Sequence, residues 1–438
     1  MNLFRDRATA FSPNLSPAWL RRGCSPHGPF AHRLSVSSRT LAGVILACAF
    51  ALAHGCSAPP RSKQQLLVFP APPAEPRIQF LTWASGAEQV EGPLSDIVKL
   101  AFGDQPVQRL GIHKPYGIAA RDGVVYVCDT KLPGLCRLDF KEQTFTFFGF
   151  RGPGQLRKPI GLTIDPLGYK FVADAYRKQI VVFGPDDDFV RAINVPQPCH
   201  PVDVAFWGNE LYVLDNDDTC QIVVMNRQTG EMLRAFGGRG TDPGQFRIPN
   251  SLSFDSEGYL YVSDTLNWRI QKLTREGEPV WTRGTVGHLL GQFGRPRGLR
   301  VGADDIIYVV DAATEIVQMF NTDGKMLMHF GGSGAVPGAL VLPAAVATDA
   351  TSIPYFKQYI HTDMDVEYLL FVTSQFGPYL VSVYAFGSFP KGYEFSQAQI
   401  ASLPSVEAQE DDSASPEGQA EDDQSGQTNT TQEPNQRE

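Results

Sequence analysis

The strongest constraint on this 438-residue chain is a recurring interval. A proline is followed at a nearly fixed distance by an aspartate that closes a short apolar run. Pro115 leads to VVYVCD ending at Asp129, Pro159 to YKFVAD ending at Asp174, and Pro201 to ELYVLD ending at Asp215. Pro249 leads to YLYVSD at Asp264 and Pro296 to IIYVVD at Asp311, while a sixth copy runs from Pro343 to LLFVTS at Ser374. Successive prolines lie 42 to 48 residues apart, the spacing of stacked or radial repeats.

Each copy reads as four short strands, because apolar and polar residues alternate over runs of four to eight bounded by Gly, Asp and Asn. In the copy beginning at Pro249 these are SLSF, GYLYVS, RIQKL and PVWTRG. A lone four-stranded sheet of this size leaves both faces wet. Radial arrangement buries face against face and leaves only short edges, which is the logic of a β-propeller. The chain ends set the blade count. The last copy supplies one strand after Ser374, YLVSVYAF, where the others supply two. The missing strand is RIQFLTWASG, Arg77 to Gly86, which resembles the fourth-strand segment KMLMHFGGSG at Lys325 to Gly334. The expected fold is therefore all-β, a six-bladed β-propeller closed by an N-terminal strand that completes the last blade and removes an open edge.

The segments PGQFRIPNSLSFDSEGYLYVSDTLNWRIQKL at Pro243 to Leu273, GPGQLRKPIGLTIDPLGYKFVADAYRKQIVVF and GQFGRPRGLRVGADDIIYVVDA carry a family likeness. Through them, roughly from Lys114 to Gly387, the chain resembles the NHL-repeat family of six-bladed propellers. The resemblance implies the fold. For function it implies a wide class, spanning sensors, carbohydrate or nucleic-acid binders, protein scaffolds and a few metal-dependent lyases or hydrolases. Two blades depart from the pattern: the third reads INVPQPCHPVD, and the sixth carries the insertion TSIPYFKQYIHTDMDVEY.

Four segments follow: a leader over 1–55, a Pro-rich tether over 56–76, the propeller over 77–390, and an acidic tail over 391–438 expected to be disordered. Within the leader, TLAGVILACAFALAHGC is too short for a comfortable membrane span and ends at Cys56. It resembles a bacterial lipoprotein signal. That implies lipidation at Cys56 and a lipid-anchored protein of the cell envelope, periplasmic or on the outer surface. In such an oxidising compartment Cys128 with Cys136, and Cys199 with Cys220, are expected to form disulfides. A net charge of -9 with dispersed arginines argues against nucleic acid as a partner.

The repeated aspartates read as local caps, accepting backbone N–H bonds in the turn that follows. Basic residues recur just before the repeat prolines, and Tyr176 and Trp268 occupy matching loops after the second strand. Tyr355, Phe356 and Tyr359 of the blade-six insertion read as further exposed aromatics. No complete catalytic set is visible. The expected function is accordingly noncatalytic binding of an envelope protein or extracellular polymer, through a rim carrying Arg157, Tyr176, His200, Arg247, Trp268 and Arg297. The alternative is a metal-dependent lyase or hydrolase at the central channel mouth, with zinc or calcium held by His113, His200 and His288. A zinc site of that kind requires about three protein ligands and an open position.

Overall fold

The computed structural model describes residues 66–93 and 109–395. Cys56, the leader and the tail beyond residue 395 lie outside them. Five four-stranded antiparallel sheets and one five-stranded sheet make a six-bladed propeller. The innermost strands are β3 (Pro115–Arg121), β7 (Pro159–Ile164), β11 (Pro201–Trp207), β15 (Pro249–Phe254), β19 (Pro296–Val301) and β23 (Pro343–Asp349). Each contacts the next around the ring, and the last contacts the first.

The closing strand is where the sequence placed it. Ile78–Ala84 (β2) pairs antiparallel with Val381–Ser388 (β25) in the sixth blade. The sequence did not show a further strand, Val68–Phe69 (β1), which adds to the outer edge of β2. Leu67 and Val68 are buried, so this part of the expected tether belongs to the sheet. The blade-six insertion forms a second clasp on the same seam. Phe356 is fully buried against Phe140 of blade one and Phe371 of blade six, and the Ser352 hydroxyl accepts the Gly123 N–H. Phe356 is thus a packing residue rather than an exposed anchor.

The core lies in apolar layers between neighbouring blades, as radial packing requires. This arrangement overturns the expected disulfides. Cys128 pairs with Leu135 and Cys136 with Val127, so the two cysteines sit one register step apart on neighbouring strands. One step reverses the face. Cys128 enters the layer between blades one and two, whereas Cys136 enters that between blades six and one. Cys199 and Cys220 are divided likewise, into the layers before and after blade three. All four are free and buried.

The repeated aspartates do more than cap a turn. Each is fully buried. Asp129 accepts the N–H groups of His113 (2.6 Å) and Lys114 (3.1 Å) before the proline, and of Lys131 (2.8 Å) after the strand. Asp174 holds Arg157, Lys158, Tyr176 and Arg177, and Asp311 holds Gly294, Arg295 and Ala313, in the same way. The carboxylate therefore fixes the loop that delivers each inner strand to the channel. In all six inner strands the register then shifts directly after the proline. Such a bulge re-aims the side chains beside it, and here it sets the one or two residues after each proline facing the channel.

Candidate functional site

The residues after the repeat prolines are Tyr116, Ile160, Val202, Asn250, Arg297 and Ala344; all but Arg297 line the channel, and Arg297 lies beside the Tyr116 ring. Three are apolar, and the other three make a connected polar group. The Tyr116 hydroxyl of blade one donates to Asn250 Oδ1 of blade four at 2.7 Å, across the ring. Asn250 Nδ2 donates to the Thr265 hydroxyl (2.9 Å), which donates to the Pro296 carbonyl (2.6 Å). That chain fixes the amide so that its oxygen faces the phenol. Arg297 of blade five lies with its guanidinium 5.8 Å from the Tyr116 ring centroid and donates to Gln375 Oε1 at 2.9 Å. Neighbouring blades hold the backbone of the group. The Thr373 hydroxyl donates to the Tyr116 carbonyl at 2.7 Å, and the Ser263 hydroxyl donates to that of Arg297.

Electrostatics single out Arg297. It is only 6% exposed, and among the described residues it has no carboxylate partner. Burial pulls its pKa down, Tyr116 opposes that shift, and Arg295 adds to it. A buried, uncompensated cation costs several kcal/mol by order of magnitude, so an unpaired guanidinium calls for an anion. The Tyr116 phenol is pushed up by burial, against the pull of Arg297 and Arg295, and stays protonated as a hydrogen-bond donor.

One residue deeper lies a narrow neck, lined by Gly117, Gly161, Asp203, Ser251, Gly298 and Ala345. The cavity that mouth and neck residues line together is about 40 Å³, room for little more than a water molecule. A substrate is therefore received on the outer side of this cavity rather than inside it. Asp203 Oδ2 accepts the Ser251 hydroxyl (2.7 Å) and the Leu252 N–H (3.1 Å), tying blade three to blade four. Burial raises its pKa from 3.8 to about 6, against those hydrogen bonds and the pull of Arg300.

The sign of the resulting pH dependence follows. The folded state holds the Asp203 proton more tightly than the unfolded state, so charging this group costs stability. That cost is absent below about pH 4 and complete above about pH 6, reaching about 3 kcal/mol by linkage. Urea unfolding at intervals between pH 4 and 7 is expected to show the wild type losing this much relative to Asp203→Asn as pH rises. Parallel profiles for the two proteins would rule the assignment out.

The rim residues named from sequence are not assembled into one site. Arg157 stacks 5.4 Å over Tyr176, which is 66% exposed, in a shallow groove with Gln155 and Arg177. Arg247 borders a different depression with Arg239, Asp217 and Asp218. His200 uses its backbone N–H on Asp215, and Trp268 packs against the apolar layer between blades four and five. Arg297 lies beside Tyr116, which lines the channel. Nor do His113, His200 and His288 form a metal group, since among the described residues no three His, Cys, Asp or Glu side chains stand together for one. Tyr116, Asn250, Gln375 and Asp203 were missed. Comparing the two positions after each repeat proline reveals the polar exceptions Tyr116, Asn250, Arg297, Asp203 and Ser251.

No family model matches the chain. Among solved structures, it is similar to a protein of unknown function from Bacteroides thetaiotaomicron, with 15% identity over 70% of this chain and 75% of that one and a TM-score of 0.49. It is also similar to a gluconolactonase from Xanthomonas campestris, with 15% identity over 75% and 99% of the chains and a TM-score of 0.47. A third is virginiamycin B lyase from Staphylococcus aureus, with 16% identity over 64% and 85% and a TM-score of 0.43. At these identities the likeness concerns the fold alone. The expectation of a noncatalytic scaffold is nevertheless corrected. It invoked a single rim assembly, whereas Arg157 with Tyr176 and Arg247 border separate depressions and Trp268 packs against an apolar layer.

Proposed function

We propose that the channel mouth is the active site of a lyase or hydrolase acting on a small carboxylate-bearing substrate. The observation that carries this reading is the buried guanidinium of Arg297, without a carboxylate partner among the described residues and beside a protonated phenol. Arg297, steadied by Gln375, binds the anionic group. The remaining guanidinium N–H groups then donate to an oxygen on which negative charge develops, and the Tyr116 hydroxyl joins them by exchanging its bond to Asn250 Oδ1 for that oxygen, stabilisation of the kind that contributes most in many enzymes. Phenol, amide and guanidinium do not make a metal donor set, so these roles are assigned to the side chains themselves.

The test is a screen of the full chain against small esters, lactones and substituted carboxylates, with acetate binding measured in parallel by calorimetry. Arg297→Gln and Tyr116→Phe are each expected to lower kcat/KM by about 100-fold, the scale of losing one oxyanion donor. Arg297→Gln is also expected to abolish acetate binding. Unchanged turnover and acetate affinity in both variants would remove the basis of the proposal.

Two finer assignments are proposed alongside. The repeat motifs support placing the propeller with the NHL type. The apolar segment ending at Cys56 supports a lipid-anchored protein of the bacterial envelope, where a protein or polymer partner would meet it. Mass analysis of the mature N-terminus checks the anchor, and an unmodified chain retaining residues before Cys56 would exclude it.

A further inference from the structure

Toward the seam of blades six and one, the polar group at the mouth adjoins an exposed aromatic ring. Gln375, which holds Arg297, is followed by Phe376, an aromatic ring left 52% exposed. The Lys114 ammonium lies 5.4 Å from the centroid of that ring, and Lys114 is two positions before Tyr116. The contacts run from Tyr116 to Arg297, to Gln375, to the adjoining Phe376, and back through Lys114. The Tyr116 and Phe376 rings, each with a cation nearby, thus flank the Arg297–Gln375 pair. The ring positions from blades two and three are the aliphatic Ile160 and Val202.

From this placement of an exposed ring beside the Arg297–Gln375 pair we infer that the site takes an anion with a flat apolar body, an aryl carboxylate rather than a short aliphatic acid. The inference rests on the reading of Arg297 as the anion-binding group. With the carboxylate on Arg297, the body of the ligand extends over Phe376. There an aromatic ring gains the offset or edge-to-face packing that rings prefer, and Lys114 attracts its π face. The neck below is too narrow to accept it. Phe376 is then a specificity residue, and Lys114 positions the ring.

Calorimetric titration of the full chain with benzoate, cyclohexanecarboxylate and acetate tests this. Benzoate is expected to bind about 5-fold more tightly than acetate, with cyclohexanecarboxylate between them, on the scale of one aromatic pair. Phe376→Ala, at an exposed position that leaves the fold intact, is expected to erase the preference while acetate affinity stays. Equal wild-type affinities, or a preference that survives Phe376→Ala, would overturn the aryl assignment and leave the Arg297 reading standing. Carboxylate binding that survives Arg297→Gln, or that is absent from the wild type, would overturn both.

Discussion

Deletion of residues 66–86 is expected to leave a chain that does not hold a closed ring. Those residues include β2, whose Ile78 and Phe80 enter the apolar layer between blades five and six, while Leu81 and Ala84 enter the layer between blades six and one. One strand thus seals both faces of the last blade. Burial of Ile78, Phe80 and Leu81 contributes about 1.5–3 kcal/mol each. Their sum rivals the whole net stability of a typical domain, about 5–15 kcal/mol. The deletion also bares the long edge of Val381–Ser388, an open template for pairing between chains. Circular dichroism is expected to show no cooperative melt, and size exclusion to show aggregates. A monomer melting with the wild type would show that the insertion carrying Phe356 closes the ring unaided. Phe80→Ala is the milder version, at about 3–5 kcal/mol for removal of a buried ring.

This closure was legible because it depends on strand supply, which can be read from the ends of the repeat. The Pro–Asp marker was legible for a related reason. Asp129, Asp174 and Asp311 each do the same work on the same backbone groups, so the residue recurs where the geometry recurs. Cysteine pairing was not legible at the level of loop length. Cys128 and Cys136 flank one hairpin turn, but their pairing partners are Leu135 and Val127, and that single step sends them to opposite faces.

The site lay just beyond the positions weighed from sequence. Attention to the residues before each proline finds side chains at the rim, whose backbone N–H groups are consumed by the buried aspartates. The register shift after each proline is what turns the following residues inward, and no single copy signals it. Tyr116, Asn250 and Arg297 come from blades one, four and five. They form a group only once the ring brings opposite blades face to face.

The neck below them provides the sharpest local test of this architecture. Gly117, Gly161 and Gly298 have no positive φ, so space rather than backbone freedom is what requires glycine. A Cβ at Gly117 would fall inside contact distance of the Ile160 carbonyl oxygen and 2.9 Å from the Gly161 Cα, both backbone atoms of the next inner strand. Neither can rotate away. The strands must separate, and Gly117→Ala is expected to cost about 3 kcal/mol, the upper range for overpacking, which lowers Tm by about 4–5 °C. Tyr116 is the adjacent residue, and its 2.7 Å bond to Asn250 spans the same opening, so displacement of β3 is expected to weaken benzoate binding together with stability. Gly184→Ala is the control, because its added Cβ meets only the Val190 side chain at 3.5 Å and the Asp188 carbonyl at 3.8 Å, both ordinary contacts. It is expected to keep both Tm and benzoate affinity. If Gly117→Ala melts with Gly184→Ala and the wild type, the inner strands are not pinched at this level, and the mouth is not braced by the neck beneath it.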